Sequence, residues 1–172
     1  MFTYKIQKDE LKHLLINGIC LPKTNDPDNQ VLYAITNGEI PQQEDKLNVS
    51  NACIIVSKRE LKVLKKEINN SNLEYVFNNP SGICYDMFGN IYICDSGYNR
   101  VKVFDLNFVL IYTIETAKND QDRLFQPKSV TTHHNMLYIC DSANHRIVSY
   151  YILKEGKEFQ FKSSYGQGNS VL

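Results

Sequence analysis

The chain has no tryptophan, no long apolar run and no excess of charge of either sign. The last two absences each remove a class of protein. No segment approaches the roughly 20 apolar residues that a membrane-spanning helix needs, so no membrane role is expected. The 19 Lys and Arg are matched by 19 Asp and Glu. That balance leaves no long-range field to draw in nucleic acid or an acidic membrane surface. Residues Met1 to Glu10 acquire charge too early for a signal peptide. The five cysteines are an odd set without a paired scaffold pattern, which fits a reducing compartment and predicts a cytoplasmic protein. Without secretion, the sequons Asn48-Val49-Ser50 and Asn69-Asn70-Ser71 carry no meaning. No C-x-x-C or H-x-x-x-H spacing occurs, so no metal and no other cofactor is expected.

What the chain does contain is a phrase written twice. Ile91-Tyr92-Ile93-Cys94-Asp95-Ser96-Gly97-Tyr98-Asn99-Arg100-Val101 returns as Leu137-Tyr138-Ile139-Cys140-Asp141-Ser142-Ala143-Asn144-His145-Arg146-Ile147. Phe77 and Pro80 precede the first copy, and Phe125 and Pro127 precede the second. Asp95 to Asp141 and Arg100 to Arg146 share one spacing of about 46 residues, a period that short-stranded propellers leave in sequence. Each copy divides into four strands by its alternation and its turn residues. In the first these are Ser81 to Tyr85, Ile91 to Asp95, Arg100 to Phe104 and Val109 to Ile114. In the second they are Lys128 to Thr132, Met136 to Asp141, Arg146 to Tyr151 and Phe159 to Lys162. The predicted fold is all-β, a partial β-propeller of four-stranded antiparallel blades. Residues 76–122 and 123–168 are the two blades, and 169–172 are a tail or the start of a further repeat.

Residues 1–75 form a segment that could hold a degenerate blade. Val31 to Thr36 reads as a strand turning at Asn37-Gly38, and Ala52 to Val56 as a buried strand. Ser57-Lys58-Arg59-Glu60 admits two readings. It can open a helix as a capping box, or turn the chain into a strand from Leu61 to Leu64. The strand is preferred because it completes a hairpin. Asp9 to Asn17 is expected as a short helix ended by Gly18, and Asn25 to Gln30 as a loop.

The two copies resemble the NHL repeat. The resemblance rests on Pro80, Gly82, Tyr92, Asp95, Ser96, Asn99 and Arg100, matched by Pro127, Ser129, Tyr138, Asp141, Ser142, His145 and Arg146. It covers more than half the chain and implies propeller blades that present a binding surface. Ser164 to Gly168 looks like a linker into a further repeat. Propellers close with about 4–8 blades, so a fragment, a truncated gene product or a partial propeller whose exposed edges need a partner is expected, and open blade edges could also self-associate.

Pro80, Asp95, Arg100, Pro127, Asp141 and Arg146 are taken as a structural signature rather than a reactive one. Their carboxylates should bind turn amides and orient the following arginine. Cys94, Cys140 and Cys84 are expected as buried thiols filling the space between sheets. No catalytic residue is assigned. The candidate binding residues are Tyr98, Asn144 and His145 on one set of turns, and Met87, Phe88, His133 and His134 on another. The basic run Lys58-Arg59, Lys62, Lys65 and Lys66 is interrupted by Glu60 and Glu67, as a solvated face would be.

The expected function is a non-enzymatic interaction module with a protein partner. The resemblance adds the substrate-recognition part of a ubiquitin-ligase-type protein, although RING and B-box spacings are absent from these residues. RNA binding is the alternative, disfavoured by the neutral charge. A lyase or hydrolase propeller is a third reading, and it would need inward His and acidic residues from several blades.

Overall fold

The computed structural model describes residues 77–107 and 109–166 in full, and before them the backbone of five strands. These are β1 (Phe2–Lys5), β2 (Ile16–Cys20), β3 (Val31–Thr36), β4 (Ala52–Ser57) and β5 (Leu61–Lys65). They form one antiparallel sheet in the order β1-β5-β4-β3-β2. The run after Ser57 therefore returns along β4 as a strand and does not open a helix there. The helix expected from Asp9 to Asn17 is contradicted at its end, where Ile16–Cys20 pairs with β3. Its residues 9–15, Asn37-Gly38 and the loop from Asn25 to Gln30 lie outside the described residues.

Two four-stranded sheets follow. The first holds β6 (Pro80–Tyr85), β7 (Ile91–Asp95), β8 (Arg100–Phe104) and β9 (Leu110–Ile114). The second holds β10 (Pro127–His133), β11 (Met136–Asp141), β12 (Arg146–Leu153) and β13 (Glu158–Gly166). Each is an antiparallel meander in chain order, the arrangement of a propeller blade. Pro80 and Pro127 start the inner strands, where a missing N–H costs the ladder nothing. The register aligns the copies more finely than the spelling does. Asn78 and Phe125 each donate a backbone N–H to the repeat aspartate, so Phe125 is the counterpart of Asn78. Phe77 then corresponds to Leu124. The stretch expected as a linker also moves, because Ser164, Tyr165 and Gly166 pair along β12 and belong to β13.

The sheets stack face to face. β6 lies against β2 and β3 on one side and against β10 on the other. Gly82 makes the second approach possible, since a Cβ there would stand 2.8 Å from the Lys128 carbonyl oxygen. Between the two blades, Tyr92, Cys94, Val101 and Val103 meet Val130, Leu137, Ile139, Val148, Tyr150 and Ile152 in one core. Each fully buried large side chain in such a core stabilises by about 1.5–3 kcal/mol. The other face of the first blade, carrying Ile91, Ile93, Lys102 and Phe104, is buried as well. All five residues of β7 are therefore buried.

Polar groups hold the stack in register. Asp95 accepts from the Asn78 N–H at 2.6 Å and from Arg100 Nε at 2.8 Å, and Lys102 Nζ lies 3.8 Å away. Asp141 accepts from the Phe125 N–H at 2.6 Å, Asn144 Nδ2 at 2.8 Å and Arg146 Nε at 2.7 Å. Arg146 also reaches Asp122 at 2.6 Å. Burial works against the Arg146 charge, but its bonds to Asp141 and Asp122 prevail and hold its pKa above the ordinary value. Both aspartates are fully buried. Each ties the segment entering the blade to the start of its third strand.

A second latch joins the blades at one rim. Asp86 binds the Phe88 and Asn90 amides and accepts from Tyr92 Oη at 2.7 Å and Asn90 Nδ2 at 2.9 Å. Asn90 Nδ2 also donates to the Glu155 carbonyl at 2.9 Å. Gly156 sits beneath it at φ 87°, where a Cβ would fall 2.0 Å from Asn90 Nδ2. Burial, then the neighbouring Asp86 carboxylate, pushes the Tyr92 phenol well above its ordinary pKa, so it remains a donor.

Cys94 is buried and Cys84 half-buried, as fillers between sheets should be, but Cys140 is exposed. The second blade covers the face that carries Cys94. On the matching face of the second blade Cys140, Ile147 and Tyr165 are exposed.

Asp95→Ala and Asp141→Ala should each lower stability by about 3–5 kcal/mol, because either removes a buried carboxylate from a largely buried arginine and from the backbone N–H of the entering segment. Urea denaturation followed by tyrosine fluorescence measures this, and an unchanged midpoint would refute the architectural assignment. Tyr92→Phe should cost about 1–3 kcal/mol by taking a donor from buried Asp86. Thermal melts should place Gly156→Ala as low or lower, since it meets both a left-handed backbone and the Asn90 side chain.

Candidate interaction surface

Alternate hairpin turns of an antiparallel blade emerge on the same rim, so each blade offers two. The first rim carries the β6–β7 turn with Met87 and Phe88 and the β8–β9 turn with Leu106 and Val109. In the second turn Asp105 Oδ1 accepts from the amides of Asn107 and Val109, both at 2.8 Å. That closed turn leaves Leu106 on the surface, with its side chain beside Gly89. The two turns thus touch. Met87 is 69% exposed, Leu106 58%, Val109 44% and Phe88 41%, so among the described residues the two touching turns expose these four apolar side chains.

On the same rim the second blade presents His133 and His134, both exposed, with ring centroids 4.2 Å apart. Its other turn, Lys154–Gly156, reaches back to Asn90 through the Glu155 carbonyl. The β6–β7 turn is therefore braced from the neighbouring blade, and the β8–β9 turn is closed on its own Asp105. Among the described residues no group of three or more His, Cys, Asp or Glu could hold a metal ion. The two histidines stand as surface side chains.

The opposite rim separates the other candidates. Single 3₁₀ turns, Ser96–Tyr98 and Ser142–Asn144, each end on a left-handed residue, Asn99 and His145. Tyr98 is exposed, with the Arg100 guanidinium 4.9 Å from its ring centroid. His145 is exposed too. Asn144 is not available as a contact, because it is buried and donates to Asp141 Oδ2 and to the Arg123 carbonyl. Tyr98 and Asn144 hold the same turn position, yet only Asn144 is short enough to bind within its own blade. Asn99 accepts the Gln126 amide at 2.9 Å and so belongs to the seam between blades. Phe125 is exposed beside this turn, where Ala143 donates to its carbonyl.

Leu106, Val109 and Phe125 are surface residues that sequence reasoning did not single out as contacts. The signal for Leu106 was present, since an apolar residue between Asp105 and Asn107 occupies a turn that buries nothing. At the outer edge, a groove of about 430 Å³ runs between β9 and β13, with Tyr112, Thr116, Tyr150, Phe159 and Phe161 in its wall. The rings of Tyr112 and Phe159 lie 4.9 Å apart there, and Tyr150 Oη donates to the Thr116 carbonyl.

Residues 77–104 match the family model described as NHL repeat. No curated protein matches the sequence. Among solved structures, the chain is similar to a protein of unknown function from Desulfotomaculum acetoxidans. The two are 16% identical, the TM-score is 0.56, and the match covers 90% of this chain and 43% of that one. It is also similar to a chain of a nidogen/laminin complex, at 16% identity and a TM-score of 0.57, over 91% of this chain and 51% of that one. The chain therefore spans about half the length of the structures it matches, and at this identity the likeness concerns the fold alone. No helix among the described residues is long and apolar enough to cross a membrane. The alternation, the stacked meanders and the family match converge: residues 77–104 are an NHL repeat, and the described sheets are stacked as in a partial all-β propeller.

Proposed function

We propose that this chain is a non-enzymatic protein-interaction module and that the rim of Met87, Phe88, Leu106 and Val109 is its contact surface. The observation that carries the reading is the patch itself. Four apolar side chains stand on two touching turns, one braced and one closed on Asp105, and burying them against a partner removes apolar area from water at little entropic cost. His133 and His134 extend the same rim with polar, hydrogen-bonding edges. An apolar patch suits a protein partner better than RNA, whose phosphates would call for a Lys- and Arg-rich surface. A role as the substrate-recognition part of a ubiquitin ligase fits this surface only in company with a RING module. Cytoplasmic residence belongs to the same proposal, supported by the free thiols of Cys84, Cys94 and Cys140.

Photo-crosslinkers placed at Met87 and at Tyr98 test it in cell extract. The Met87 site should yield discrete, reproducible protein adducts. Phe88→Ser combined with Leu106→Ser should weaken capture by about tenfold or more, since anchors of this kind are commonly worth more than 1 kcal/mol each. The melting temperature should stay near the parent value, because these are surface positions. Equal capture by parent and variant, or recovery of RNA in a salt-sensitive complex, would overturn the reading.

A further inference from the structure

The open face of the second blade is the counterpart of a buried interface within the same chain. In the first blade, Cys94 pairs across the ladder with Val101, and Val101 with Ile114. That row is buried, and the second blade lies over it. In the second blade, Cys140 pairs with Ile147 and Ile147 with Tyr165, at the same ladder positions. Here Cys140 is exposed, Ile147 is 45% exposed where Val101 is 0%, and Tyr165 is 55% exposed where Ile114 is 3%. Tyr138 and Tyr151 are partly exposed on this face as well. The row thus keeps the chemistry of a blade-to-blade contact, while Cys140, Ile147 and Tyr165 stay exposed among the described residues.

We propose that this face docks a second copy of the chain, seated on the second copy's five-stranded sheet, so that two copies close one ring. Three observations select this occupant. The buried contact already made by the first blade is with a sheet of the same kind, so the open face continues an interface the chain itself uses. The inner strands β2, β6 and β10 follow one another around the stack, which places the five-stranded sheet and the second blade at its two ends. Finally, the described residues of one copy form three sheets, and the chain covers 43% and 51% of the solved chains it is similar to. Two copies bring six such sheets together, within the range of about 4–8 at which propellers close. The contact is head-to-tail, and a twofold arrangement repeats it twice and leaves no end open.

Sedimentation of the 172-residue chain, with peptide-resolved alkylation of Cys140, tests this separately from the rim. The expected result is a concentration-dependent dimer in which Cys140 labelling slows about tenfold or more as the dimer forms. Ile147→Lys should give a folded monomer with Cys140 reactive at every concentration. Tyr165→Glu, at a more exposed outer position, should do the same and serves if Ile147→Lys fails to fold. Phe88→Ser should remain a dimer, so failure of the rim proposal and of this one are distinguishable. A parent chain that stays monomeric up to about 100 μM, well above the usual range for specific contacts, would overturn the proposal and leave the face to a different sheet. A dimer that persists in both variants with Cys140 still reactive would overturn it as well.

Discussion

Everything in this structure depends on the requirement that a sheet with two apolar faces be covered twice. β7 shows the constraint in pure form, with all five of its residues buried although successive side chains point to opposite sides. A lone four-stranded meander of this composition would expose both of its faces to water. Stacking solves the problem only by passing it on, because each added blade brings its own second face. The contrast between Val101 and Ile147, equivalent in position and opposite in exposure, is the consequence.

Packing apolar faces together does not fix how one sheet sits on the next, and the buried carboxylates do that. Asp95 and Asp141 each collect a backbone N–H from the entering segment and a guanidinium from the start of the third strand, so strand ends far apart in sequence meet at one point. Between blades the same work falls to short side chains. Ser81 Oγ donates to the Lys128 carbonyl at 3.0 Å, Ser96 Oγ to the Pro127 carbonyl, and Thr132 Oγ1 to the Tyr85 carbonyl at 2.7 Å. Such directional bonds contribute modestly in net terms, but leaving the buried ones unmade is costly, which makes the register specific. The rim turns inherit this rigidity. Leu106 and Phe88 are presented by turns already closed on Asp105 and Asp86, so a partner need not order them.

Much of the blade plan was legible because strand alternation and turn chemistry are local. Pro80, Asp95, Asn99 and Arg100 mark the joints of a meander, and their return in the second copy located its strands to within a few residues, except for β13. The less legible features involved long-range pairing. Nothing near Phe2 reveals that Phe2–Lys5 joins β5, since the pairing crosses a long stretch of chain. The spelling of Phe77 and Phe125 suggested an equivalence that backbone hydrogen bonding assigns elsewhere. Asn144 looked like a surface residue by analogy with Tyr98, and only its bonds to Asp141 and Arg123 place it inside.

The sequence by itself determined the period, the strands of each blade and the residues that terminate them, because those properties reside in neighbouring residues and repeat. Which side of each strand is covered was decided by the tertiary structure alone. Cys94 and Cys140 stand in the same repeated phrase, yet one is sealed and the other is open to water. The difference lies in what is stacked against each, and stacking is a relation between segments that no local pattern records.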